Sequence, residues 1–201
     1  MIHSGRALSF WSLLVSPQLA LAHSPIEGIG EFYNGLLHPV FVPAHMLLLM
    51  ALGLFVGQQG AKDQQVAVAV FLVAVTLGLM AAWFSLGDQL EMLILGTAAV
   101  TGVLIAARLA VGRYGCALAT ALAGLLLGMD SAQDMLSGKE RFISLVGSAV
   151  GIYLLFLYPV AIADIFSKKS WQKIGVRVVG SWIAASALLV LALSYSPTSL
   201  D

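Results

Sequence analysis

Three histidines, His23, His38 and His45, fall within the segment HSPIEGIGEFYNGLLHPVFVPAHMLLLM, residues 23 to 50. The fourth, His3, stands near the start of the chain. Imidazole is a good ligand for nickel, copper and zinc, and the thioethers of Met46 and Met50 would favour Cu(I). A chain cut before His23 would add a terminal amine to that residue's imidazole, a chelating pair for a divalent ion. His38 and His45 are seven residues apart, so on a straight helix they lie within ~20° of one face with Cα atoms ~10.5 Å apart. Pro39 and Pro43 disturb that geometry. Either the regular helix starts near Pro43 with His38 on a non-helical approach, or the helix kinks between the two. The competing reading is a histidine that bonds across helices and methionines that fill the core. Histidines at membrane depth are rare and tend to mark pathways.

The elements that must position these groups are apolar. Hydrophobic residues are 60% of the 201, charged residues 10%, and mean hydropathy is +0.95. A soluble domain carries about a quarter charged residues. Apolar runs of a length that crosses ~30 Å of hydrocarbon as helix recur along the chain, and the alternating pattern of a barrel is absent. The fold class read from this is all-α, a polytopic membrane protein. Arg6, the apolar FWSLLV and Ala20-Leu21-Ala22 read as a cleavable signal peptide over 1–22, which leaves 23–201 as a six-helix transmembrane domain. Residues 24–37, glycine-rich and carrying Glu27 and Glu31, read as a lead-in outside the membrane. Six spans are expected near 38–57, 65–86, 91–111, 114–130, 142–164 and 174–195.

Charge orients them. With the new amino terminus outside, seven basic residues (Lys62, Arg108, Arg113, Lys168, Lys169, Lys173, Arg177) fall on the cytoplasmic side. Only Lys139 and Arg141 fall opposite, and Arg6 leaves with the signal. The acids divide the other way: Glu27, Glu31, Asp88, Glu91, Asp130, Asp134, Glu140 and Asp201 outside, Asp63 and Asp164 inside. An acidic outer face would concentrate cations near the histidines. Gly53/Gly57, Gly124/Gly128 and Gly147/Gly151 are small-xxx-small packing motifs. Zero net charge points to no nucleic-acid partner, and the partners expected are a metal cation and the lipid bilayer. The lone Cys116 reads as a packing residue. No paired-carboxylate, Ser-His-Asp or phosphate-loop pattern suggests an enzyme.

His23, Gly28, Gly30, Phe32, Gly35, His38-Pro39 and His45 before an apolar run resemble the HupE/UreJ family, whose pattern there is roughly H-P-x-x-G-x-D-H. The resemblance implies a bacterial inner-membrane protein with a signal peptide, six spans and both mature termini in the periplasm. It also implies a permease for nickel or cobalt, of the kind associated with hydrogenase and urease operons. The chain departs from the pattern at Val42 and Ala44, where the family has Gly and Asp. A second family motif, H-G-x-A-H-G followed by an acid, aligns with Ala123-Gly124-Leu125-Leu126-Leu127-Gly128 and Asp130. Its glycines and acid remain, and both histidines are apolar here. The implied metal residues are therefore His23, His38, His45 and Asp130, for Ni or else Cu or Co. Two alternatives stand beside transport. One is a non-transporting membrane protein that holds copper or nickel for a membrane or exported metalloenzyme partner. The other is a structural or assembly subunit that has lost the metal site.

Amino-terminal sequencing of the membrane-integrated protein is expected to begin at His23; a readout beginning at Met1 would make residues 1–22 a retained segment.

Overall fold

The structure, a computed structural model, describes residues 28–82, 89–133, 136–166 and 168–195. The expected signal peptide and His23 lie outside them. The described residues form seven helices and no strand: α1 (Glu31–Phe41), α2 (Pro43–Gly57), α3 (Ala61–Ala81), α4 (Gln89–Ala107), α5 (Gly112–Met129), α6 (Gly138–Ile165) and α7 (Ser170–Tyr195). The last five are each long and apolar enough to cross a membrane, and α1 with α2, bent by 71° at the break between them, makes a sixth if the pair is one span. The all-α multi-span architecture stands, and the five single-helix spans end within a few residues of the limits read from hydropathy.

The lead-in is partly helical: α1 starts at Glu31 and packs along α6. Hydropathy hid this because the buried face of α1 is polar and small (Asn34, Gly35, His38, Pro39), while Tyr33, Val40 and Phe41 face outward. Such a face reads as a loop by composition, yet it suits close packing between membrane helices.

The break at Val42 has a local cause. Pro43 is the first residue of α2, a position where its missing N–H costs nothing. Proline also disfavours helical backbone in the residue before it, and Val42 is extended (φ −87°, ψ 107°). Pro39, inside α1, donates no hydrogen bond back to the Gly35 carbonyl four residues earlier. That carbonyl is instead satisfied from α6, where the Ser148 hydroxyl donates to it at 3.2 Å. In lipid such a freed backbone group must find a partner inside the protein.

Helix α2 is the centre of the bundle. It touches all six other helices, α6 and α4 most extensively, and is buried nearly all round. Around it run three tight seams: α3 on α5, α1 on α6, and α4 on α7. All three glycine pairs read from sequence lie in close helix contacts. A methyl on Gly128 would strike the α3 backbone and one on Gly124 the Ala74 side chain of α3, one on Gly147 or Gly151 the α1 backbone, and one on Gly53 or Gly57 the α6 backbone. Gly102 and Gly180 serve the α4–α7 seam in the same way. Large apolar side chains such as Leu77, Met80, Leu154 and Trp182 lie on the outer surface, as a lipid-facing exterior requires.

The two ends differ in charge. Lys62, Arg113 and Arg177 lie in the opening turns of α3, α5 and α7, and Arg108 follows the end of α4. Arg177 Nε donates to the Ala106 carbonyl at 2.7 Å, binding the start of α7 to the end of α4, and Arg113 lies 3.9 Å from Asp63. His45, Asp130, Glu31 and Glu91 share the opposite end.

Gly35→Ala places a methyl against the Ser144 backbone and is expected to lower the melting temperature in detergent by several degrees, an overpacking cost of about 1–3 kcal/mol. Gly96→Ala, with open space around it, is expected to leave the temperature unchanged or slightly higher. Fluorescence-detected thermal unfolding compares the two.

Candidate functional site

His45 sits in the first turn of α2 and is fully buried. Its Nε2 lies 2.8 Å from Asp130 Oδ2, with the Asp130 side chain 17% exposed. Asp130 is the C-terminal cap residue of α5, its N–H bonded to the Leu126 carbonyl at 3.0 Å. Buried Ser131 closes the same turn through its hydroxyl on the Leu127 carbonyl. The carboxylate is thus carried to His45 by a defined helix end. An ionised carboxylate only accepts hydrogen bonds, so Nε2 donates and, in the neutral ring, Nδ1 keeps its lone pair. His45 Nδ1 is buried with no hydrogen-bond partner among the described residues. A carboxylate on one ring nitrogen, fixing ring and tautomer while the other nitrogen stays available, is the usual arrangement behind a metal-binding histidine.

His38, in the last turn of α1, is 4% exposed. Its ring meets that of His45 edge-on, with centroids 5.2 Å apart and planes at 85°. A straight helix would hold these residues two turns apart; the 71° bend folds one over the other. Of the two geometries open to the sequence, the structure takes the kinked one, with helix on both sides of the break.

The structure joins His38, His45 and Asp130 into one contiguous set. His23 and Glu27 lie outside the described residues. Among those described, no group of three or more His, Cys, Asp or Glu side chains is arranged to hold one metal ion. Met46 is 43% exposed on the outer surface, which corrects its reading as core filler and removes it from the site; Met50 packs partly against the core. Cys116 is fully buried in the core. The two departures from the motif before His45, Val42 and Ala44, are buried apolar positions, and so are Ala123 and Leu127 in α5.

Sequence reading missed the polar residues around this set. Asn34, Gln133, Ser144 and Ser148 are all buried at the same end. Their signal was faint: isolated small or amide side chains in or beside apolar runs. Along α2 itself the pattern stops, for the helix continues with Leu48, Leu49, Leu52 and Phe55, all fully buried.

Such a bundle, with a buried imidazole–carboxylate pair at the end opposite most of its basic residues, defines a multi-pass helical membrane protein. The chain belongs to the HupE/UreJ family: the model of that family, described as HupE / UreJ protein, matches residues 11–190. No curated protein and no solved structure gives a significant match.

Asp130→Ala leaves His45 Nε2 buried without its carboxylate and is expected to destabilise by about 1–3 kcal/mol. Asp130→Asn, whose amide oxygen can still accept from Nε2, is expected to keep most of that stability. Thermal unfolding in detergent without added metal measures both.

Proposed function

We propose that this protein is a permease of the bacterial inner membrane for a transition-metal dication, nickel or cobalt, which it first binds at the His45 end. The observation that carries this reading is the buried His45 ring, held through Nε2 by Asp130 with Nδ1 left available. His45 Nδ1 is then the first ligand, His38 the neighbouring imidazole, and Asp130 the group that orients His45 and balances part of the ion's charge. The amine and imidazole of His23, once the signal is removed, complete the set. By the positive-inside rule the end bearing Lys62, Arg108, Arg113 and Lys168 is cytoplasmic, so the histidines face the periplasm.

A second reading draws on the apolar turns below His45. With Leu48, Leu49 and Leu52 sealing α2, the same site would serve a protein that holds metal, nickel or copper, for an exported metalloenzyme without passing it inward.

Uptake of nickel into metal-starved cells, together with elemental analysis of the purified protein, separates these. Wild type is expected to accumulate nickel, His38→Ala/His45→Ala to lose uptake and bound metal, and Asp130→Asn to bind about 10–100-fold more weakly, as loss of an orienting carboxylate usually does. Tight binding without accumulation would favour the holding role. Uptake undiminished in the double variant would overturn the site.

A further inference from the structure

The His45 end contains more unpartnered polarity than one imidazole explains. Besides His45 Nδ1, three buried side-chain atoms there have no hydrogen-bond partner among the described residues: Glu31 Oε2, Gln133 Oε1 and Ser144 Oγ. They come from three elements: the first turn of α1, the segment after α5, and the second turn of α6. Ser144 is 2% exposed and Gln133 7%. No such atom lies at the basic end among the described residues.

A buried polar atom left unpaired costs roughly 1–3 kcal/mol, and more in surroundings with no water. Native proteins carry few, and these usually meet an ordered water or an ion. Several gathered at one end of an apolar bundle are therefore not scattered packing faults. The connections place them at the same end as the histidines. Ser144 stands against Gly35, one turn before His38 on α1. Gln133 follows Asp130 by three residues, and Asp130 holds His45. Glu31 lies one turn before Gly35 on the same helix.

We infer that Glu31, Gln133 and Ser144 line a hydrated path along which a partly hydrated divalent cation reaches His45. The carboxylate attracts the ion at the mouth. The amide and hydroxyl oxygens replace some of its water further in, as hard oxygen ligands can without holding it tightly. Imidazole then takes over at His45. This assignment rests on the metal-cation reading of His45 but concerns different residues.

The test uses the full-length protein in spheroplasts in a Cys116→Ala background, with Ser144→Cys, Gln133→Cys and, as a lipid-facing control, Leu154→Cys. A thiol reacts with a small membrane-impermeant reagent only where water reaches it and the thiolate forms, so both site variants are expected to react at least about tenfold faster than the control. Millimolar Ni(II) is expected to slow both. In parallel, Ser144→Ala and Gln133→Met are expected to melt no lower than wild type, because an apolar replacement removes an unpaired group, and to take up Ni(II) about tenfold more slowly. Thiols as inert as the control, reactivity indifferent to Ni(II), or uptake unchanged in Ser144→Ala and Gln133→Met would each overturn the path. His45→Ala, assayed alongside, separates the two readings. Loss of its uptake with inert thiols removes the path and leaves the metal site standing. Normal uptake by His45→Ala removes the metal site itself.

Discussion

The bend at Val42, enforced by Pro43, is the constraint on which the rest of this structure depends. A proline that opens α2 disfavours helix in the residue before it, so the chain must turn there. Because it turns by 71°, α1 lies along α6 rather than continuing the axis of α2. That single change of direction brings two histidines seven residues apart, one on each side of the break, into ring contact. It also turns the polar face of α1 into the protein and its aromatic and aliphatic face outward.

A break of this kind is tolerable in lipid only if the freed backbone groups are answered. The Gly35 carbonyl, released by Pro39, is answered by Ser148. The Val42 N–H reaches the His38 carbonyl at 3.0 Å and closes α1. The first depends on α1 lying very close to α6, which Gly35, Gly147 and Gly151 permit by having no side chain at the contact; the second is local to the chain. Bend, seam and buried polar residues are therefore one arrangement: without the small residues the helix could not dock, and without docking the break would leave unpaired groups in an apolar medium.

The same arrangement separates two environments within one short helix. The first turn of α2 faces Asp130 and the histidine of α1, a polar setting in which one imidazole nitrogen is fixed and the other available. One turn further, Leu48 and Leu49 begin a fully apolar interior that continues through Leu52 and Phe55. An ion held at His45 would have carboxylate and imidazole on one side and hydrocarbon on the other. Polarity in α2 is thus confined to its first turn, and the rest of the helix is apolar and largely buried.

The sequence by itself determined the class of fold, the limits of the single-helix spans to a few residues and the clustering of most basic residues at one end. These follow from hydropathy and charge, which act residue by residue and need no knowledge of neighbours. It also singled out His38 and His45, because histidines stand out in so apolar a chain, and the glycine pairs, because their spacing matches one helix turn. It did not show the helix Glu31–Phe41: a helix whose buried face is glycine, asparagine, histidine and proline has the composition of a loop, and only its partner helix reveals it. Tertiary structure alone decided that His38 folds onto His45, that Asp130, 85 residues further along, orients the His45 ring, that Met46 points away, and that Glu31, Gln133 and Ser144 share one end. Each of these depends on where a second helix lies, and for contacts between chain segments so far apart a single sequence carries no local signal.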